Sequence, residues 1–287
     1  LLFNTLKLKS EIIYTPTIEK LEVSDEAVNR FSGAIKYKTI SSGNSESDYS
    51  NEFLGLHEYF EKVFPLIHSE LEKKVFNYSL LYKWEGEDVN LKPILLMSHI
   101  DVVPVDINTI EDWEAPPFSG EIKNSRVYGR GTMDDKVSVL GIMEAVESLI
   151  ANGYKPKRTL YLAFGHDEEI GGVNGAGVIA QYLQDNNIHL EFVLDEGGFI
   201  AEELIPGVSK PVAIINVAEK GYVSYELTIQ TEGGHSSTPP KDNTIGSLAT
   251  AITKLEKNPF KVKMIPLLKD QIKLIGAEMP FASKLVF

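Results

Sequence analysis

Four short segments carry side chains able to bind a metal ion or move protons. They are His99-Ile100-Asp101, the pair Asp134-Asp135 within Gly129-Arg130-Gly131-Thr132-Met133-Asp134-Asp135-Lys136, the cluster Asp167-Glu168-Glu169, and Asp195-Glu196 ahead of Gly197-Gly198. Each has an ordinary explanation. A single histidine is usually a hydrogen-bonded core residue, and an acid ahead of a helix is usually a cap or a dipole partner. The glycines at 129 and 131 make a turn, and the Gly-x-x-x-x-Gly-Lys spacing of a phosphate loop is missing. Converging carboxylates repel one another unless a cation sits among them, and one imidazole with several carboxylates is the donor set of a divalent metal. Without cysteine, the donors are nitrogen and oxygen, which points to zinc, with cobalt or manganese able to substitute. A carboxylate can bridge two metals ~3.5–4 Å apart, an arrangement that activates water for hydrolysis. The adjacent Glu168 and Glu169 can divide the work, one binding metal and its neighbour taking a proton.

The elements around these segments explain why they would meet. Ile94–Met97, Thr159–Phe164 and Glu191–Leu194 read as apolar strands running into the His99, Asp167 and Asp195 segments, and a Gly-rich turn at 129–131 opens a helix from about Asp134 to Asn152, with Gly153 as its C′ residue. Ligands of open α/β sheets collect at the carboxyl ends of their strands. Upstream, a helix opens after Ser24 with Val28, Phe31 and Ile35 on one face, a second carries Phe53, Leu54, His57, Phe60 and Phe64 and is closed by Pro65, and extended runs follow at Lys74–Phe76 and Ser79–Tyr82. A helix from about Gly175 to Gln184 precedes the last core strand. Alternating strands and helices predict an α/β fold, a mostly parallel sheet with helices on both faces. Near residue 218 the pattern changes: Tyr222–Ile229 alternates apolar and polar residues like a half-exposed strand, a helix follows from about Thr244 to Lys257, and Lys284–Phe287 reads as strand. The expected organisation is a catalytic domain over residues 1–217 and an incomplete, smaller α+β lid domain over 218–287.

Composition narrows the function classes. The 287 residues hold 28 Lys and Arg against 41 Asp and Glu, a net charge of −13. Such a surface repels phosphate backbones and anionic lipid heads, which excludes nucleic acid and membrane surfaces as expected partners. No stretch approaches the ~18 apolar residues of a membrane span, and the opening Leu1–Leu6 is too short an apolar run for a signal peptide. The first residue is not Met, so the expectation is a processed terminus or one portion of a longer chain.

Six phrases in order resemble one family. They are Leu96–Pro104, Trp113–Gly120, Tyr128–Lys136, Gly165–Glu169, Val193–Gly198 and Gly234–Pro240, and they are similar to the zinc hydrolases that include glutamate carboxypeptidase, aminoacylase, succinyl-diaminopimelate desuccinylase and carboxypeptidase S. Within that family they are most similar to the branch of carboxypeptidase S and the secreted N-fatty-acyl-amino-acid synthase/hydrolase. The resemblance implies His99 and Asp195 as ligands of a first zinc, Glu169 as ligand of a second, and Asp134 as the bridge, with a cis peptide between Asp134 and Asp135. It implies that Asp101 orients the His99 imidazole, that Glu168 is the general base toward a metal-held water and later protonates the leaving amine, and that His235 of the lid steadies the oxyanion, often across a homodimer. The family completes its second zinc site with a histidine, and holds the substrate carboxylate with an arginine, in a region with no counterpart here; His57, His68 and His189 do not fit the histidine's role. The expectation is therefore the N-terminal portion of a longer enzyme that hydrolyses an amide next to a free carboxylate, in small peptides or N-acyl amino acids. The rival expectation is a truncated, inactive chain that binds one metal or dimerises through its lid. The same resemblance implies a place in the secretory pathway, vacuolar or extracellular, and Asn77-Tyr78-Ser79 is an acceptor triplet for glycosylation.

Overall fold

The computed structural model describes residues 2–11, 22–43, 49–218, 220–230, 233–235, 237–238 and 243–285. Two compact units emerge, one of Ile18–Glu196 and one of Leu1–Thr17 with Gly197–Phe287.

The 18–196 unit is built on a five-stranded sheet in the order β1-β2-β6-β3-β7. Its strands are β1 (Glu72–Phe76), β2 (Ser79–Trp84), β3 (Ile94–His99), β6 (Leu160–Gly165) and β7 (Val193–Leu194); β4 (Glu121–Lys123) and β5 (Arg126–Tyr128) form a separate hairpin. The sheet is mixed. β3 pairs in parallel with β6 and β7, as the alternation of strands and helices predicts. The β1–β2 hairpin instead adds an antiparallel edge through the β2–β6 pairing, because a tight turn at Asn77-Tyr78 can only return the chain alongside itself.

Helices cover both faces. On one lie α2 (Asp25–Ile35), α3 (Ser50–Val63), α4 (Pro65–Glu70) and α5 (Lys136–Ala151); on the other lies α6 (Ala176–Asp185). The pleat divides the strand residues accordingly. Leu80, Tyr82, Leu162 and Phe164 join a core with Leu56, Phe60, Val139 and Met143, while Leu81, Leu95, Tyr161 and Ala163 pack with Ile179 and Leu183 of α6. Phe60 is fully buried in the larger core, so Phe60→Ala is expected to lower stability by about 3–5 kcal/mol, read as a shifted urea unfolding midpoint.

Local signals set the helix ends. The Ser24 side chain accepts from the Ala27 N–H at 3.2 Å, an N-cap for α2. Pro65 ends α3 as expected, but it also stands at the first turn of α4, whose free Leu66 and Ile67 N–H groups donate to the Glu147 carboxylate at 3.0 and 2.9 Å. Gly153, at φ +70°, follows α5 and donates to the Ile150 carbonyl. α5 itself begins at Lys136, two residues later than the sequence pattern implies, which leaves Asp134 and Asp135 ahead of the helix.

The second unit holds α1 (Leu2–Lys7), the hairpin β8 (Phe199–Ala201) and β9 (Val212–Ile214), α7 (Thr244–Lys257), α8 (Pro266–Glu278) and α9 (Phe281–Lys284). α7 has the predicted limits, with the Asn243 side chain accepting from Gly246 N–H at 2.7 Å. The expected strand over Tyr222–Ile229 does not form. Alternation describes a strand with one covered face, but such a run needs a neighbour for its backbone hydrogen bonds, and Tyr222, Val223 and Tyr225 are exposed. Lys284 ends a helix rather than beginning a strand; Val286 and Phe287 lie outside the described residues. No helix among the described residues is long and apolar enough to cross a membrane.

Candidate metal centre

The parallel register brings the site together. His99 pairs with Gly165, so the end of β3 lies beside the turn that follows β6, and the Ile100 N–H donates to the Gly165 carbonyl at 2.7 Å. Leu96 pairs with Leu194, which sets Asp195 and Glu196 along the other side of β3. Asp134 and Asp135 arrive from the start of α5, where the helix dipole favours carboxylates; the peptide between them is cis. Four segments far apart in the chain thus meet at the carboxyl end of one sheet.

His99 is the centre of this group and is buried. Its Nδ1 is 3.0 Å from the Asp101 carbonyl oxygen and 3.2 Å from Asp101 Oδ1. Its Nε2 is 2.9 Å from Asp134 Oδ1, 3.5 Å from Glu196 Oε2 and 3.9 Å from Glu168 Oε2. Asp101, fully buried, accepts the Glu168 and Glu169 N–H groups on its two oxygens, at 3.2 Å each. One carboxylate therefore orients both the imidazole and the turn that carries the two glutamates.

The donor atoms form two overlapping sets, His99 with Asp134 and Glu169, and His99 with Asp135 and Glu196, each within 4.8 Å. Asp135 is buried, its carboxylate accepting from the Ser98 and Ser138 hydroxyls. Of the residues expected as ligands, His99, Asp134 and Glu169 come together. Asp195 lines the same cleft of about 50 Å³, room for an ion and a few waters, but its Oδ1 accepts from the Glu196 N–H at 2.9 Å. Its neighbour Glu196 reaches His99 instead. The doublets Asp134-Asp135 and Asp195-Glu196 were the only signals for Asp135 and Glu196, and a doublet does not say which member turns inward. His235 belongs to the other unit, exposed, with Nδ1 2.8 Å from the Ser237 hydroxyl oxygen; Ser236, Pro239 and Pro240 lie outside the described residues.

The remaining histidines have structural partners or exposed positions. His57 Nε2 bonds the Tyr78 carbonyl, His68 bridges the Phe64 carbonyl and the Tyr82 hydroxyl, and His166 pairs with the Ser79 hydroxyl. His189 is exposed.

Electrostatics support a cation at this centre. No Lys or Arg among the described residues pairs with Asp134, Glu168, Glu169 or Glu196; the ion-pair contacts of Asp134, Glu168 and Glu196 are to the His99 imidazole alone. Burial by itself disfavours the imidazolium, yet the hydrogen bond and charge of Asp101, with Glu196 and Glu168, carry the His99 pKa up to about 10. Burial pushes the Glu196 carboxyl up to about 7, opposed by His99 and reinforced by Asp135 and Asp134. Burial likewise raises Glu168 and Glu169 above the ordinary carboxylate value. The donor set of imidazole and carboxylate oxygens fits zinc.

A sign follows for stability. All four groups have folded-state pKa values above their ordinary ones, so each stabilises the fold fully below its ordinary pKa and loses that contribution as pH rises through the folded value. Surface carboxylates held low by lysines, such as Glu61 beside Lys73, already contribute in full above about pH 5. Burial shifts His57, His166 and Lys136 the other way, which opposes this trend in the chain as a whole, so the sign is read from the effect of zinc. The gain in melting temperature on adding zinc to the chelated chain is expected to be larger at about pH 8 than at about pH 5. Thermal denaturation with EDTA or with zinc at both pH values checks this; a zinc-induced gain that is equal at the two pH values, or larger at the lower one, would contradict it.

Fold and centre together define an α/β protein with an imidazole–carboxylate site at the carboxyl ends of its parallel strands. The model of Peptidase family M20/M25/M40 matches residues 95–279, more than half of the chain. The chain is 45% identical over 269 residues to the Probable carboxypeptidase S-like 2 of Dictyostelium discoideum, covering 91% of this chain and 51% of that protein. It is 42% identical over 253 residues to the N-fatty-acyl-amino acid synthase/hydrolase PM20D1 of Xenopus tropicalis, covering 87% of this chain and 48% of that one. Among solved structures, human carnosine dipeptidase 1 superposes with a TM-score of 0.52 at 16% identity, over 62% of this chain and 40% of that chain, a likeness of fold. The chain belongs to Peptidase family M20/M25/M40. It spans about half the length of the curated relatives it matches.

Proposed function

We propose that this protein takes part in zinc-dependent hydrolysis of an amide bond next to a free carboxylate, in small peptides or N-acyl amino acids. The observation that carries the reading is the single buried imidazole of His99 facing carboxylates from three other segments, with no lysine or arginine paired to them among the described residues. A divalent metal supplies, when bound, the positive charge that polarises an amide carbonyl and eases loss of a proton from water.

The chain's own residues have distinct tasks in this reading. Asp101 holds His99 Nδ1 and leaves Nε2 to face the centre. Asp134, Glu169 and Asp195 are assigned with His99 to hold metal, and Glu196 and Asp135 are added from the geometry. Glu168 takes the proton of the attacking water and returns it to the leaving nitrogen; burial raises its proton affinity toward working pH, which suits a group that must do both. His235 is assigned to the oxyanion on the strength of the sequence motif. The names of the relatives, a carboxypeptidase S-like protein and an N-fatty-acyl-amino acid synthase/hydrolase, support the substrate class. Dimerisation through the lid and a place in the secretory pathway belong to the same reading; Asn77 of the acceptor triplet is exposed at the β1–β2 turn.

The test is a panel of dipeptides and N-acyl amino acids, assayed with zinc and with chelator. Zinc-dependent release of free amino acid supports the reading. Zinc binding without turnover would favour the second reading, a chain that binds metal but does not catalyse.

A further inference from the structure

Lys136 is wholly buried at the first position of α5, yet no carboxylate among the described residues forms an ion pair with it. Its Nζ donates instead to two main-chain carbonyls at the end of α2, Tyr37 O at 2.7 Å and Ala34 O at 3.2 Å. A buried ammonium without a counter-ion is costly, and a methionine would fill the same slot without a charge, leaving the two carbonyls without this donor. Packing alone does not account for a lysine here.

The hydrogen bonds around it show what the ammonium joins. The Lys136 N–H donates to the Gly131 carbonyl at 3.1 Å, closing the loop that carries Asp134 and Asp135. Its stem lies against Gly131, where an added Cβ would meet Lys136 Cδ at 3.2 Å, at φ +90°. Beyond Tyr37, the chain locks onto the segment that follows His99. Thr39 Oγ1 donates to Ile100 O at 2.6 Å, Val102 N–H to Thr39 O at 2.9 Å, and Ser41 N–H to Val102 O at 3.1 Å. The Asp134 side chain is 69% exposed and its one ion-pair contact among the described residues is His99 Nε2, so its place depends on where the backbone of its loop is held.

We infer that Lys136 is a positioning residue: by pinning the 131–136 loop to the 34–41 segment, which in turn pins 100–102, it sets the Asp134 carboxylate against the His99 imidazole. This rests on the metal-binding reading above. Losing an outer partner of a metal ligand typically weakens binding about 10–100-fold.

The experiment titrates zinc into the unsubstituted chain and into Lys136→Met, and records the metal-free melting temperature of each. The expected result is a folded Lys136→Met chain whose zinc affinity is lower by at least about tenfold. A folded variant with a smaller loss overturns the inference while leaving the metal reading intact. No zinc binding by the unsubstituted chain overturns the metal reading and the inference with it. Should Lys136→Met not fold, Lys136→Gln is judged by the same criterion; failure of both to fold makes Lys136 a requirement of the fold and overturns a separate positioning role.

Discussion

In an active, full-length form that carries out the proposed hydrolysis, replacing Glu168 by Gln is expected to lower the rate by about 10²–10⁴-fold, the usual weight of a general base, and to leave bound metal unchanged. Glu168 Oε2 stands 3.9 Å from His99 Nε2, near the centre, but in neither donor set. Its backbone is held by Asp101, so the substitution keeps the turn in place. The glutamine amide matches the carboxylate in shape but cannot take a proton at neutral pH. Steady-state rates and metal analysis on the purified variant decide the assignment. A rate near that of the unsubstituted protein would remove Glu168 from the mechanism, and loss of metal would make it a ligand.

His99→Ala should have the largest effect on metal binding. Both donor sets contain His99, which supplies the one imidazole among otherwise carboxylate donors. Removing it leaves carboxylate oxygens alone, which suit harder cations than zinc. The loss in zinc affinity should exceed about 100-fold, the upper end of what an outer partner costs. Because one Nε2 serves one ion at a time, titration of the unsubstituted chain should show a single tight site. Calorimetry on both chains gives the two numbers. Two tight sites, or a His99→Ala chain that binds nearly as well, would mean that the centre is organised around another residue.

Much of this site was legible in the sequence because the relevant signals are local. Apolar runs ending in His99-Ile100-Asp101, Asp167-Glu168-Glu169 and Asp195-Glu196 mark strand ends, and residue type alone limits the chemistry to nitrogen and oxygen donors. The same holds for Ser24, whose capping side chain acts within three residues. Where a neighbour was required, the local pattern was insufficient. Tyr222–Ile229 alternates as a strand should, yet no partner strand is hydrogen-bonded to it among the described residues.

By itself, then, the sequence determined the α/β alternation, the four segments bearing the chemistry and the nitrogen and oxygen donor types of their side chains. These depend on periodicity and residue type, which are written into short stretches. Only the tertiary structure decided that the β1–β2 hairpin makes the sheet mixed, that Glu196 rather than Asp195 reaches the imidazole, and that Asp101 and Lys136 tie distant segments to the centre. Side-chain direction within a doublet and the partners of a buried charge follow from long-range register. That register is set when β3 pairs with both β6 and β7, and no single segment contains it.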